Sequence, residues 1–285
     1  MPILVIGATG KTGRRITARL SAAGHQVRAG ARTPGDALPR VEPVHFDWYD
    51  AATHGPALEG VDRVHVVPPA GRVDHAAHVA AFLTAARVAG VRRVVLMTAR
   101  GVHVSDEIPL RQNELALLAS GLEHTILRPG WFMQNFSEGV FAPDGDGFIA
   151  APAGDGPTAF VDAEDIADVA VAALTADGHA GEIYELSGPE APTWAQAAAV
   201  LGEHAGRPVR FVDVEPDSWV AGAAQAGLPA DYAGMLGQLF AGVRAGWDAH
   251  LSDGVQRALG REPRSLAEFA AREAPLLRQA PAAAA

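Results

Sequence analysis

Near the start of the chain, Ile3-Leu4-Val5-Ile6 runs directly into Gly7-Ala8-Thr9-Gly10-Lys11-Thr12-Gly13, and an amphipathic stretch follows to Ala23. Four aliphatic residues closed by a glycine read as a buried strand, and the stripe that follows reads as a helix ended by Gly24. Three glycines spaced Gly-x-x-Gly-x-x-Gly between the two have separate tasks. Gly7 permits the tight turn, Gly10 lets a ligand approach the backbone, and Gly13 lets the helix pack closely on the strand. The helix start then offers N–H groups and a positive dipole end to an anion. This arrangement suits the pyrophosphate of a dinucleotide, so Gly7, Thr9, Gly10, Lys11, Thr12 and Gly13 are candidate cofactor-binding residues. A plain glycine-rich turn is the alternative, and the flanking strand and helix weigh against it.

About 20 residues after such a turn, NAD sites carry an acid for the ribose 2′-hydroxyl, whereas NADP sites carry an arginine. Here that place reads Arg28-Ala29-Gly30-Ala31-Arg32, with no carboxylate. Arg32 can meet a 2′-phosphate bidentately and Lys11 adds a second cation. NADP(H) is therefore the expected cofactor, with NAD(H) possible and with an exposed-loop role for Arg32 left open. Asp47 and Trp48 are placed to meet the adenine by hydrogen bond and stacking; plain burial of Trp48 is the competing reading.

Downstream, short apolar runs alternate with longer amphipathic ones. Strands are expected at 26–31, 44–47, 63–67, 93–98 and 124–128, and helices at 50–58, 73–89 and 111–120. This is the pattern of an α/β, Rossmann-type, doubly wound parallel sheet. Residues 1–150 form the expected dinucleotide-binding domain, with 158–188 returning to the sheet through a helix at 163–174 and a strand at 183–186. Pro, Gly and Asp gather between Pro143 and Pro157, a loop with one short strand at 147–150. Residues 189–275 read as a small, mostly helical substrate-binding part, with helices at 194–205, 217–226, 231–245 and 265–272. The Ala-rich 276–285 reads as a disordered tail.

The chain has a net charge of −10, no cysteine and a single lysine, Lys11. With no run of Lys and Arg, nucleic acid is not an expected partner. Disulfides and thiolate chemistry are excluded. No segment approaches the roughly 20 apolar residues of a membrane span, and Met1 leads into the first strand without a basic leader, so a cytoplasmic monomer or homodimer acting on a small molecule is expected. His75 and His78 lie three apart, but no third ligand stands at metal spacing, and no metal site is expected.

The glycine turn, Phe46-Asp47-Trp48, Val95-Leu96-Met97-Thr98, the run Ser120-Gly121-Leu122-Glu123-His124-Thr125-Ile126-Leu127-Arg128-Pro129-Gly130-Trp131-Phe132-Met133-Gln134-Asn135-Phe136, and Phe160-Val161-Asp162-Ala163-Glu164-Asp165-Ile166-Ala167 occur in this order. Together they resemble the NmrA-like branch of the atypical short-chain dehydrogenases, near the quinone oxidoreductases and the ergot-alkaloid iminium reductases. The ordinary short-chain enzyme pairs a tyrosine with a lysine four residues on, to protonate an alkoxide. In this chain Tyr49, Tyr184 and Tyr232 are followed at that position by Thr53, Gly188 and Leu236.

Two functions from different classes remain. One is a reductase whose acceptor (a quinone, an iminium ion or an activated enone) needs hydride but little acid help. The other is a non-catalytic NADP(H) sensor of the NmrA type; a pathway enzyme that has kept the fold and lost redox chemistry is a third possibility. For an enzyme, the resemblance places Thr98 at the catalytic Ser/Thr position, with His103 as a proton-donor candidate. Pro68 and Pro129 are expected beside the nicotinamide. Trp131, Phe132 and Asn135 are expected to contact substrate, since aromatic faces suit a flat or cationic acceptor.

Overall fold

The computed structural model describes residues 1–139 and 141–278. The chain packs as two units: Met1–Pro129, Ala163–Leu186 and Asp253–Arg261 form the first, and Gly130–Asp162, Ser187–Ser252 and the chain from Glu262 onward form the second. The C-terminal part thus returns one short segment, 253–261, to the first unit.

In chain order the elements are β1 (Ile3–Ile6), α1 (Lys11–Ala22), β2 (Val27–Ala31), β3 (Val41–His45), α2 (His54–Leu58), β4 (Arg63–Val66), α3 (Ala76–Val88), β5 (Arg93–Met97), α4 (Pro109–Ala119) and β6 (Glu123–Pro129). There follow β7 (Phe148–Ala151), α5 (Ala163–Thr175), β8 (Ile183–Leu186), α6 (Trp194–Ala205), β9 (Arg210–Asp213), α7 (Pro216–Gln225), α8 (Ala230–Arg244), α9 (Gly254–Leu259) and α10 (Leu266–Leu277).

The first unit holds a seven-stranded sheet in the order β3-β2-β1-β4-β5-β6-β8. Every pair in it is parallel; Ile3 sits in register with Val27 on one side and Arg63 on the other. Strand order reverses between β1 and β4, which opens the crevice where doubly wound sheets bind ligands. All four residues of β1 are buried, the unbroken apolar run that helices on both faces require. Alternate strand residues Leu4, Ile6, Val64, Val66, Val94 and Leu96 join Val79, Phe82 and Leu83 of α3 in one core. On the other face, α5 lies along α1: Glu164 accepts from Arg15 at 2.5 Å and also from Arg19, and Arg19 reaches Asp168 at 2.6 Å. Glu164, in the first turn of α5, makes this helix-to-helix bridge.

β3 lies earlier than the 44–47 expected. Its five residues are at most half-buried and include Pro43, which only an edge strand tolerates, so no apolar alternation marks it.

The second unit pairs β7 with β9 in parallel and surrounds them with α6, α7, α8 and α10. Trp194, Phe136, Phe160, Phe240 and Phe269 fill its core. α6 and α10 each open with a capping box, Thr193 with Gln196 and Ser265 with Glu268. α10 continues to a buried Leu277, so 276 and 277 are helical where a tail is expected from the composition; residues 279–285 lie outside those described.

Candidate active site

The turn after β1 is shaped as a cradle. Gly7 has φ +70°, and a Cβ there would stand 2.6 Å from a methyl of Val67, at the end of β4 across the crevice. A Cβ on Gly13 would lie 2.1 Å from the Gly7 carbonyl oxygen and 2.9 Å from the Ala8 Cα; one on Gly10 would lie 3.3 Å from the same oxygen. Helix and turn therefore touch backbone to backbone. The Gly7 and Ala8 N–H groups donate to the Gly30 carbonyl at 2.9 and 3.1 Å, which locks the turn to β2. Gly10 is the N-cap of α1, with no side-chain cap and no acid in the first turn. The first-turn N–H groups, which a helix cannot satisfy internally, thus receive no acceptor from an N-cap side chain. These positions fit the pyrophosphate of a dinucleotide.

Arg32 follows β2 as an exposed side chain. The next loop bends over the turn: a Cβ on Gly35 would stand 3.2 Å from the Thr9 methyl. A cavity of about 780 Å³ lies here, lined among others by Thr9, Arg14, Pro34, Gly35 and Asp36. Both Arg14 and Asp36 lie outside residues 28–32: Asp36 is carried to the turn by the loop after β2, and Arg14 lies in the first turns of α1.

Trp48 is a correction. Its indole is buried, its Nε1 donates to the Val67 carbonyl at 3.1 Å, and it packs edge-on against Phe46 and Phe82. A ring enclosed this way has no face left for adenine. Asp47, half-buried, accepts from the Tyr49 N–H at 2.9 Å, which shapes the loop after β3. Pro68, beside Val67, and Pro129, at the end of β6, are both buried.

Thr98 is the second correction. Its hydroxyl donates to the Glu114 carboxylate at 2.8 Å. Glu114 is fully buried and also accepts two hydrogen bonds from Arg128, at 2.8 and 2.7 Å, and one from Arg111 at 2.9 Å. Burial pushes this carboxyl up, but hydrogen bonds from Arg128, Thr98 and Arg111 outweigh burial and hold it below the ordinary value. An ionised carboxylate can only accept, so the single Thr98 proton is committed to Glu114 and is withheld from a substrate oxygen. Sequence spacing could not show this, since Glu114 comes from α4 and Arg128 from β6. His103 is exposed; its Nδ1 lies 3.4 Å from Arg128 Nη1 and 3.8 Å from the Glu185 carboxylate.

In the second unit, Trp131 is half-buried, with its Nε1 donating to the Asp248 carboxylate at 3.0 Å and its ring 4.8 Å from that of Phe240. Phe132 and Asn135 are half-buried. The neighbouring Gln134 is buried and donates to Asp162 at 2.7 Å, while Phe136 is core. Trp131, Phe132 and Asn135 are thus half-buried, with Trp131 packed against the core of its unit, whereas Met133, Gln134 and Phe136 are fully buried.

The sequence profile described as NAD(P)H-binding matches residues 7–177. The chain belongs to this NAD(P)H-binding family. An uncharacterised oxidoreductase of Bacillus subtilis, YesF, is 39% identical over 96% of this chain and 95% of its own length. Agroclavine dehydrogenase of Claviceps fusiformis is 34% identical over 94% of this chain and 96% of its own. Among solved structures, the NADPH-dependent quinone oxidoreductase of Escherichia coli, in complex with NADPH, superposes with a TM-score of 0.79 at 26% identity, covering 95% of this chain and 99% of that one. The family match begins at Gly7, the first glycine of the cradle. Among the described residues, no helix is long and apolar enough to cross a membrane.

Proposed function

We propose that this NAD(P)H-dependent oxidoreductase delivers hydride to a small electrophile, a quinone, iminium ion or activated enone, without a general acid of its own. The observation that carries this reading is the fate of Thr98, whose only proton is held by an ionised, buried Glu114. The sequence offers no tyrosine–lysine dyad in its place. Gly7, Thr9, Gly10, Lys11, Thr12 and Gly13 hold the nucleotide diphosphate, and Arg32, with Arg14 across the adjoining cavity, holds the 2′-phosphate of NADP(H). When bound, the nicotinamide supplies the hydride. The protein's own contribution is positioning and exclusion of water: Pro68 and Pro129 wall the nicotinamide, and Trp131, Phe132 and Asn135 of the second unit receive the acceptor. Agreement comes from relatives whose names are those of a clavine dehydrogenase and a quinone oxidoreductase.

Steady-state oxidation of NADPH with a panel of quinones and cyclic iminium salts tests the reading. Tight NADPH binding with no turnover of any acceptor would leave the protein as a redox sensor. For the cofactor, Arg32→Ala should weaken NADPH binding about tenfold or more, the loss of one charge-assisted contact worth roughly 1.5–3 kcal/mol, and leave NADH nearly unchanged. Equal losses for both would remove the case for NADP(H). Asp36 lines the same cavity, so Asp36→Asn is expected to act in the opposite sense, narrowing NADH affinity first.

A further inference from the structure

Two loops of the first unit meet, the one after β3 and the one between β4 and α3. The second is anchored at both ends. At its start the Val67 carbonyl accepts from Trp48 Nε1 at 3.1 Å, and a Val67 methyl stands 2.6 Å from where a Cβ of Gly7 would be. At its end His75 is buried, with its Nδ1 3.1 Å from the side-chain nitrogen of Asn113. Residues 68–74 arch between these anchors, springing from beside the glycine turn.

A cluster of exposed side chains ties the arch to its neighbour. The Asp74 carboxylate accepts from the Tyr49 hydroxyl at 2.7 Å and from Arg72 at 3.1 and 2.5 Å. The Arg72 guanidinium lies over the Tyr49 ring, 4.7 Å from its centroid, and the His78 ring meets the same ring at 4.7 Å and 62°. Hydrogen bonds from Arg72 and Tyr49 hold the Asp74 carboxyl below its ordinary value, so it remains an acceptor for both. The Arg72 and Asp74 side chains are 49% and 52% exposed. An ion pair this wet is weak and screened by salt, so it breaks readily. Gly71, within the arch, has φ +77° and open space where a Cβ would be, while Pro68 and Pro69 stiffen the base. A stiff base, a glycine pivot and a weak outer tie are the parts of a gate.

We propose that Tyr49, Arg72 and Asp74 form a latch that holds this arch closed beside the glycine turn and sets the rate at which the nucleotide enters and leaves. With the latch made, residues 68–74 stay against the loop after β3 and narrow the crevice. With it broken, the arch swings about Gly71 and the crevice opens. Tyr49, Arg72 and Asp74 are positioning residues, acting on the nucleotide through the arch rather than by touching it. The latch governs nucleotide exchange, which precedes and follows hydride transfer, so it goes beyond the reductase reading and does not depend on it.

Stopped-flow fluorescence of NADPH, first on mixing with protein and then on displacement by excess NADP⁺, reads association and dissociation. Tyr49→Phe removes one hydrogen bond and keeps the ring beneath Arg72, whereas Asp74→Asn removes the charge that both partners bind. Dissociation should quicken about threefold in the first and about tenfold or more in the second, with association quickening in parallel, so that Kd moves by less than either rate. In the Asp74→Asn background, Tyr49→Phe should add little, because its partner is already gone. Wild-type dissociation should rise between about 10 and 150 mM salt more steeply than that of Asp74→Asn, as the Debye length falls from about 30 to 8 Å. Dissociation within about twofold of wild type in both variants overturns the latch. Faster dissociation with unchanged association, the mark of a lost direct contact, overturns it too. If Asp74→Asn does not fold, Tyr49→Phe, which leaves the ion pair whole, carries the test. A protein with the expected rates and no turnover of any acceptor loses the reductase reading and keeps the latch.

Discussion

Replacing Gly13 by alanine separates the packing role of this residue from ordinary helix propensity, because the two effects have opposite signs. Alanine is the better helix former by about 0.8–1 kcal/mol, so propensity alone predicts a gain. The structure predicts a loss. The new Cβ would meet the Gly7 carbonyl oxygen at 2.1 Å, its carbon at 2.7 Å and the Ala8 Cα at 2.9 Å, all backbone atoms that no rotamer change can move. Non-bonded carbons prefer roughly 3.5 Å, so α1 must retreat by about an ångström from the turn. Overpacking of this kind costs about 1–3 kcal/mol. Set against the propensity gain, the net loss is about 0–2 kcal/mol, a fall in Tm of up to about 8 °C for a domain of this size, instead of the rise that propensity alone predicts. The same retreat lengthens the N–H contacts that a diphosphate would make, so NADPH affinity should drop at least about tenfold. Differential scanning calorimetry and an NADPH titration read the two effects. Gly222→Ala is the control, since a Cβ on that α7 glycine meets nothing within 4 Å and the substitution should stabilise by about 0.5–1 kcal/mol. A Gly13→Ala protein with wild-type Tm and wild-type NADPH affinity would refute the backbone-contact argument.

Thr98→Val removes a hydrogen bond to a buried carboxylate and should cost about 1.5–3 kcal/mol in thermal unfolding; an unchanged Tm with lost turnover would return Thr98 to a catalytic role. His65, in the middle of β4, is fully buried with neither ring nitrogen hydrogen-bonded, and burial pushes its pKa down to about 4. The unfolded chain then takes up a proton before the folded one does, so stability holds above pH 6.5 and falls between there and about 4. Tm measured across that window should fall less in His65→Leu than in wild type, and parallel curves would contradict the assignment. Glu164 is held down at about 2: burial raises its pKa, and hydrogen bonds from Arg19 and Arg15 more than reverse this. Its stabilising effect is complete above about pH 4.5 and is lost toward pH 2, so Glu164→Gln should be less stable at neutral pH but show a shallower acid limb of denaturation.

The glycine turn was legible in the sequence because its cause is local. Strand, turn and helix are contiguous, the three glycines are each required by contacts within a dozen residues, and β1 emerged with the bounds its apolar run suggested. The helix end at Gly24 was legible for the same reason; this glycine adopts positive φ, which a side chain would resist. What the tertiary structure alone decided concerns partners distant in sequence. Thr98 looked available to a substrate until α4 and β6 brought Glu114 and Arg128 to its hydroxyl. Trp48 looked like a stacking platform until α3 closed over it. β3 had no apolar alternation to reveal it, since an edge strand with a proline is fixed by pairing to β2 rather than by burying a face. Propensity and turn chemistry act over a few residues and can be read from them. Burial and ionic pairing depend on which segments the fold brings together, so the same side chain can be a ligand or a strut.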